Sequence, residues 1–412
     1  MNDLAHLAAQ DFPIFEKKSK TGQRFVYLDS AATTQKPRCV AEAMHDFYLY
    51  QNATVHRAIY EIAAEATERY NNVRKKLQHF LHARSEDEIV FTSGTTEGIN
   101  LIAYSYAEAF LQEGDEILIS EAEHHANIVP WFRVGERKKT QLKIVPLHED
   151  GSFNLEAFKQ LLSEKVKIVS IAHTTNTTGS LYPLKQIIEL AHQRGAIVIV
   201  DGAQAVAHHT IDVQDLDCDF FVFSGHKMYG PTGIGVLYGK YELLEKMPPF
   251  KSGGDMIERV SFECITYQKP PLKFEAGTPM IAEAIGLAAA VDYLNALGVS
   301  NIHAHEQKLT DYAFKQLQKI PHLHILGTAK ERGSLITFYV QGVHSLDLGT
   351  ILNLKGVCVR TGLMCAEPYF RSKGISSGVR ISFGVYSTFK DVDYFIKMLK
   401  ESLFLIKPEI SF

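Results

Sequence analysis

Ala196-Ile197-Val198-Ile199-Val200-Asp201 is an unbroken apolar run closed by a carboxylate, and Phe220-Phe221-Val222-Phe223-Ser224 repeats the design with a hydroxyl. Apolar runs without polar alternation suit strands covered on both faces, as in a parallel sheet. Working outward, the same texture recurs at 88–92 (EIVFT), 116–120 (EILIS), 143–147 (KIVPL) and 166–171 (VKIVSI). Longer amphipathic stretches at 97–111, 126–138, 155–163 and 184–194 separate these runs and read as helices. Strand and helix alternating so regularly predict an α/β fold with a largely parallel, doubly wound sheet.

Beyond about residue 274 the texture changes. Helical stretches at 281–297 and 301–320 precede strand-like 334–340, helix-like 346–354, strand-like 357–360, a loop, strand-like 379–383 and a helix from 388. Few strands with helices to one side predict a smaller α+β C-terminal lobe. The expected division is an N-terminal arm (1–27) packed on the small lobe, a large domain (28–297) built on the parallel sheet, and a small α+β domain (298–412) that carries a cysteine loop.

Of the 412 residues, 46% are hydrophobic and 22% charged, which allows a sizeable core in an ordinary globular composition. A net charge of −4 and no basic block give no electrostatic reason to expect nucleic acid or an anionic membrane as partner. No apolar run approaches the ~20 residues needed to cross a bilayer. The first 20 residues carry Asp3, Asp11 and Glu16 without an apolar segment, so a signal peptide is not expected. Five cysteines without a CxxC pair make a disulfide framework or a four-cysteine zinc site unexpected, and point to a reducing, cytoplasmic setting. Cys39, Cys218 and Cys358 read as small buried hydrophobes.

In α/β sheets, ligands gather at the carboxyl ends of strands. Asp201-Gly202-Ala203-Gln204 stands at one such end and Ser224-Gly225-His226-Lys227 at another. Taken singly, Asp201 would equally cap the next turn and Lys227 would equally be a solvated surface residue. Together they supply what pyridoxal phosphate chemistry requires: a carboxylate to keep the ring nitrogen protonated, and a lysine able to form a Schiff base and later act as a base. Ser93-Gly94-Thr95-Thr96-Glu97-Gly98 opens a helix after a strand, as a phosphate cradle or as plain capping. Adjacent His124 and His125 cannot both face one ligand, so one at most would lie on a cofactor ring.

The segments SGTTEGINL, EHHANIVPW, TNTTG, VDGAQAV, FSGHKMYGPTGIGVLY, FEAGTP and RTGLMCAEP resemble, in order and spacing, the second-group, SUF-type cysteine desulfurases. These belong to the class V aminotransferase-like, fold type I pyridoxal-phosphate enzymes. The likeness runs from Tyr27 (YLDSAATTQKP) almost to the C-terminus. It implies a homodimer in which Lys227 is the Schiff-base lysine, Asp201 the pyridinium partner and Gln204 the donor to the ring hydroxyl. His124 would stack on the ring and share in catalysis. Thr95, Thr96, Ser224 and His226 would hold the phosphate, with Thr278 reaching the phosphate of the other subunit. Arg380 would bind the substrate carboxylate, and Asn176, Arg360 and His56 would line the substrate pocket. Cys365 would take sulfur from L-cysteine or selenium from selenocysteine. A sulfur-acceptor protein of the SufE or SufU type would then collect the sulfur for iron–sulfur cluster assembly.

Two rival readings are a class V aminotransferase and a non-catalytic pyridoxal-phosphate-binding scaffold. RTGLMCAEP speaks against the first, and intact Lys227, Asp201 and Cys365 against the second. The sequence departs from the family at two places. Leu363-Met364 stand where a histidine usually precedes the cysteine, and Ser387 stands where asparagine is usual. Without a neighbouring imidazole, Cys365 is expected to be a poor nucleophile unless Leu363 and Met364 merely pack beneath the loop.

Overall fold

A computed structural model describes residues 4–18, 22 and 25–409. Residues 1–3, 19–21 and 23–24 of the expected N-terminal arm, and 410–412 of the small domain, lie outside the described residues. Among the described residues, strands β1 (Ile89–Thr92), β2 (Glu116–Ser120), β3 (Gln141–Val145), β4 (Val166–Ala172), β5 (Ile197–Asp201), β6 (Phe220–Ser224) and β7 (Gly235–Gly239) form one seven-stranded sheet. Its order is β1-β7-β6-β5-β4-β2-β3. β2 through β6 pair in parallel, whereas β7 runs antiparallel to both β1 and β6.

Val198, Ile199 and Val200 are fully buried, as the apolar run requires. Each contributes about 1.5–3 kcal/mol of transfer free energy. The two faces of the sheet feed separate apolar clusters, one around Val198, Val200 and Phe221 and one around Ile199, Phe220 and Val222. The sequence reading differs in two strands. β7 is a strand that the alternation of apolar runs did not mark, and β3 begins two residues before the expected run. Pro146 has no N–H for the ladder, so pairing stops at Val145.

Two helices precede β1 that the alternation did not mark, Arg38–Asp46 and Glu61–Leu81. The second buries Ala63, Ala66, Tyr70, Val73, Leu77 and Leu81, a helical stripe laid against the core. Helices Ile281–Leu297 and Val299–Leu317 meet at 75° about Gly298. Among the described residues no single helix is long and apolar enough to cross a membrane.

The C-terminal part holds an antiparallel sheet of four strands: β8 (Leu323–Leu326), β9 (Leu335–Val340), β10 (Arg360–Gly362) and β11 (Gly378–Ser382). Their order is β8-β9-β11-β10. Ile336, Phe338, Val379 and Ile381 pack with Leu309, Leu348, Phe395 and Leu399 from three helices into a separate core. The expected strand 357–360 is split. Val357–Cys358 pairs in parallel with Val26–Tyr27, and only from Arg360 does the chain join β11. This change of partner aims the segment after Gly362 at the carboxyl ends of the large sheet.

Candidate active site

Asp201 ends β5, and the residue after it must be glycine. A Cβ at Gly202 would fall 2.1 Å from Cζ of Phe221 on the next strand. Gly202 donates to the Val222 carbonyl at 2.8 Å, and Ala203 N–H donates to Asp201 Oδ1 at 2.9 Å. Burial pushes the Asp201 carboxyl upward, opposed by that N–H and by the Lys227 charge. Lys227 ends the short 3₁₀ turn Gly225–Lys227 that follows β6. Burial drives its amine downward, while Asp201 pulls it back up. Four donors converge on the carbonyl of His226 beside it: Lys36 Nζ at 2.8 Å, Thr33 Oγ1 and Thr34 N–H at 3.1 Å each, and Thr34 Oγ1 at 3.2 Å. Neighbouring strand ends thus hand an acid and an amine to one cavity of about 270 Å³.

The other end of this cavity is rich in hydroxyls. Gly94 has φ 149°, and a Cβ there would stand 3.1 Å from Ser224 Oγ. With that space open, Thr95 N–H reaches Ser224 Oγ at 2.8 Å and Thr95 Oγ1 lies equally close. Thr96 and His226 complete this end. Burial, helped by the Lys227 and Lys36 charges, pushes the His226 imidazole down to about 4, so it is neutral at pH 7.

One wall is the turn after β2. Glu123 is fully buried and accepts from Ser120 Oγ at 2.6 Å, Asn127 Nδ2 at 2.8 Å and Ala172 N–H at 3.1 Å. Burial raises its carboxyl to about 7. On this frame His124 faces the cavity, with Nδ1 accepting the Ala126 N–H at 3.0 Å. Burial and the Lys227 charge push it down to about 4.

Arg380, Asn176, Arg360 and the cysteine loop line the cavity as well. Arg380 is buried. Its Nη1 donates to the Asn176 carbonyl at 2.9 Å and its Nη2 reaches Asp29 Oδ1 at 3.5 Å. Its Nε has no partner among the described residues. Asn176 Nδ2 in turn donates to the Met364 carbonyl at 2.5 Å. Cys365 is exposed at the mouth, whereas Met364 is buried with Leu326 and Phe370. The thioether therefore points into an apolar cluster, and packing beneath the loop is the role the structure gives it.

The cavity brings together twelve of the expected residues: Lys227, Asp201, Gln204, His124, Thr95, Thr96, and also Ser224, His226, Asn176, Arg360, Cys365 and Arg380. Two are elsewhere. His56 is exposed, with Nε2 3.3 Å from Asn71 Oδ1, and Thr278 lines a separate cavity beside Tyr70 and Glu275. Cys39 is a correction: it is exposed, because the helix Arg38–Asp46 turns Val40 inward instead. Cys218 is buried and Cys358 only partly so. The lining suits pyridoxal phosphate, with a buried acid and amine at one part, hydroxyls at another, and an orphaned guanidinium nitrogen as well.

A family model described as aminotransferase class-V matches residues 26–395. The chain belongs to the class-V aminotransferase family. Among relatives of this class-V chain, a probable cysteine desulfurase of Vibrio cholerae is 47% identical over 98% of this chain and 100% of that protein. One of Staphylococcus aureus is 48% identical over 95% of each. The crystal structure of the cysteine desulfurase CsdA of Escherichia coli, as its S-sulfonic acid, is 39% identical with a TM-score of 0.90, covering 98% of this chain and 99% of its own. The apo cysteine desulfurase of Thermococcus onnurineus is 33% identical with a TM-score of 0.91, covering 96% and 97%.

Residue reading missed Asp29, Lys36, Glu123 and His125 as parts of the class-V site. Three of these act by contacts that cross large sequence distances, such as Lys36 to His226, which no local pattern announces. Their only signal was membership in the quoted segments YLDSAATTQKP and EHHANIVPW.

Proposed function

We propose that this chain is a cysteine desulfurase that uses pyridoxal 5′-phosphate to convert L-cysteine to L-alanine, leaving the sulfur as a persulfide on Cys365. The observation that carries this reading is an exposed cysteine on a loop facing the same cavity as Lys227, Asp201 and Arg380. An aminotransferase has no use for that thiol. Lys227 holds the cofactor, Asp201 serves its ring nitrogen, and Gln204 and His124 serve its ring. Thr95, Thr96, Ser224 and His226 hold its phosphate with Thr278 of a second copy. When bound, the cofactor supplies a sink for the electron pair freed as a bond at the substrate Cα breaks.

The residues of the chain do the rest. Arg380 Nε and Nη2 offer a planar fork to the substrate carboxylate. The Lys227 amine, lowered by burial, is available to move the Cα proton. The Cys365 thiolate attacks the substrate sulfur; the new S–S bond forms as the Cβ–S bond breaks, and the carbon keeps the electron pair and leaves, protonated, as alanine. Selenocysteine is attacked in the same way at selenium. Asn176 and Arg360 bound the substrate, whereas His56, expected with them, stands outside this cavity and would meet a substrate only in another copy.

The same reading includes a homodimer, a cytoplasmic setting and delivery of sulfur to an acceptor of the SufE or SufU type for iron–sulfur cluster assembly. The division into 1–27, 28–297 and 298–412 is supported by the separate C-terminal core, which also takes in Val26 and Leu28. The test is alanine and sulfide production from L-cysteine by wild type and Cys365→Ser. The variant should still change its cofactor spectrum on adding cysteine, yet release almost no alanine. Alanine at the wild-type rate would remove Cys365 from the reaction, and cysteine-independent amino transfer to an oxo acid would favour an aminotransferase.

A further inference from the structure

We infer that His125 is a positioning residue that fixes the Cys365 loop over the cavity; the inference rests on the desulfurase reading of that site. Two hydrogen bonds to this one residue hold the chain directly after the thiol-bearing Cα. Its backbone N–H donates to the Cys365 carbonyl at 2.7 Å, and its ring Nε2 accepts the Glu367 N–H at 3.0 Å. Just before these points the chain passes through two left-handed residues that are not glycine, Met364 (φ 51°) and Cys365 (φ 55°). L-residues hold that conformation only where the surroundings impose it. Asn176 restrains the Met364 carbonyl from the other side.

His125 can do this because its own turn is fixed. Glu123 ties the turn to β2, to Asn127 and to the end of β4, and Asn127 also receives Trp131 Nε1 at 3.0 Å and Ser170 Oγ at 2.6 Å. The two adjacent imidazoles then divide the work. His124 accepts at Nδ1 and faces the cavity, whereas His125 accepts at Nε2, keeps its ring proton on Nδ1, and faces the loop. The loop therefore does have an imidazole on it, although Met364 occupies the position before the cysteine. That imidazole acts on the backbone and sets where the thiol stands.

The test compares wild type, His125→Ala and His125→Gln, the last because the Gln Oε1 stands close to where Nε2 accepts. Backbone hydrogen exchange over 363–370 and steady-state alanine formation are measured on each protein. In His125→Ala, exchange at the Glu367 amide should quicken about five- to tenfold, the loss of one hydrogen bond. The kcat should fall several-fold while KM for cysteine stays, because Arg380 and Lys227 are untouched. His125→Gln should restore both. Unchanged Glu367 exchange in His125→Ala overturns the inference, as does equal loosening in both variants or faster exchange with unchanged kcat. If wild type forms no alanine, the desulfurase reading fails by itself, and the exchange data still judge the loop.

Discussion

Arg380 spends one arm on the Asn176 carbonyl and part of another on Asp29, and its Nε has no partner among the described residues. A buried charged donor without a partner is costly, so a ligand that supplies an acceptor binds with a large gain. Arg380→Lys keeps the charge but loses the fork, and should raise KM for cysteine about 10- to 100-fold by steady-state kinetics. Borohydride reduction of the loaded enzyme followed by peptide mapping should tag Lys227; a tag on any other lysine overturns its assignment. Four imidazoles held neutral by burial weaken the fold in acid, His209 the furthest lowered of them. His124, His173 and His226 are each pushed down to about 4 by burial, against about 6.5 in an unfolded chain. At these imidazoles the unfolded state binds more protons between those values, which lowers stability as pH drops from 6.5 towards 4, and the several imidazoles outweigh the opposite contribution of Glu123. Thermal midpoints of the cofactor-free protein should decline through that window, and a flat profile would refute the assignment. Residue identities at strand ends were legible in the sequence because an acid or amine closing an apolar run is conspicuous. Which neighbours restrain them was not legible, since Lys36 and Asp29 reach the site only through tertiary packing.

The loop from β10 to the helix Glu367–Ser372 is the element on which the proposed sulfur step depends. Its apolar residues face inward, Met364 against Leu326 and Phe370, with Leu363 packed on the same cluster. Met364→His would bury an imidazole among these groups and should cost about 1–3 kcal/mol, read as a lower thermal midpoint. The pH midpoint for alkylating Cys365 should stay where it is, because the side chain at 364 is taken up by packing against Leu326 and Phe370. A shifted midpoint would restore the view that this position controls the thiolate. Elements of the large sheet were readable wherever strands are buried on both faces. β7 escaped because its run is only Gly-Val-Leu-Tyr-Gly, glycine at both ends, and it runs against its neighbours instead of following a crossover helix. The split at Val359 escaped for a different reason. Pairing with Val26 and then with β11 is a choice between partners, and partners are invisible to periodicity.

At the scale of the whole molecule, two expected residues stand outside the Lys227 cavity, His56 and Thr278, and the family likeness assigns the second across subunits. Thr278 is held elsewhere by its own anchor. Glu275 accepts from the Phe91 N–H at 2.7 Å and pairs with the buried Arg74 at 2.8 Å, which locks the preceding residues against β1. His56 is likewise exposed, close in sequence to the exposed apolar residues Tyr50, Ile59, Tyr60 and Ile62. Under the proposed function these apolar groups are the surface that a second copy would cover. Sedimentation should therefore show a dimer at assay concentrations, and a fully active monomer would end the proposal. A sharper experiment asks whose Thr278 serves which cavity. Lys227→Ala and Thr278→Glu should each be nearly inactive alone, the first for want of the amine and the second because a carboxylate repels the phosphate. If Thr278 crosses between copies, dissociating and mixing the two variants creates hybrid dimers in which one cavity combines an intact Lys227 with an intact Thr278. Random pairing makes half the dimers hybrid with one good site in two, so about a quarter of wild-type activity should return. If Thr278 instead serves the cavity of its own chain, every cavity in every dimer carries one lesion, and mixing restores nothing.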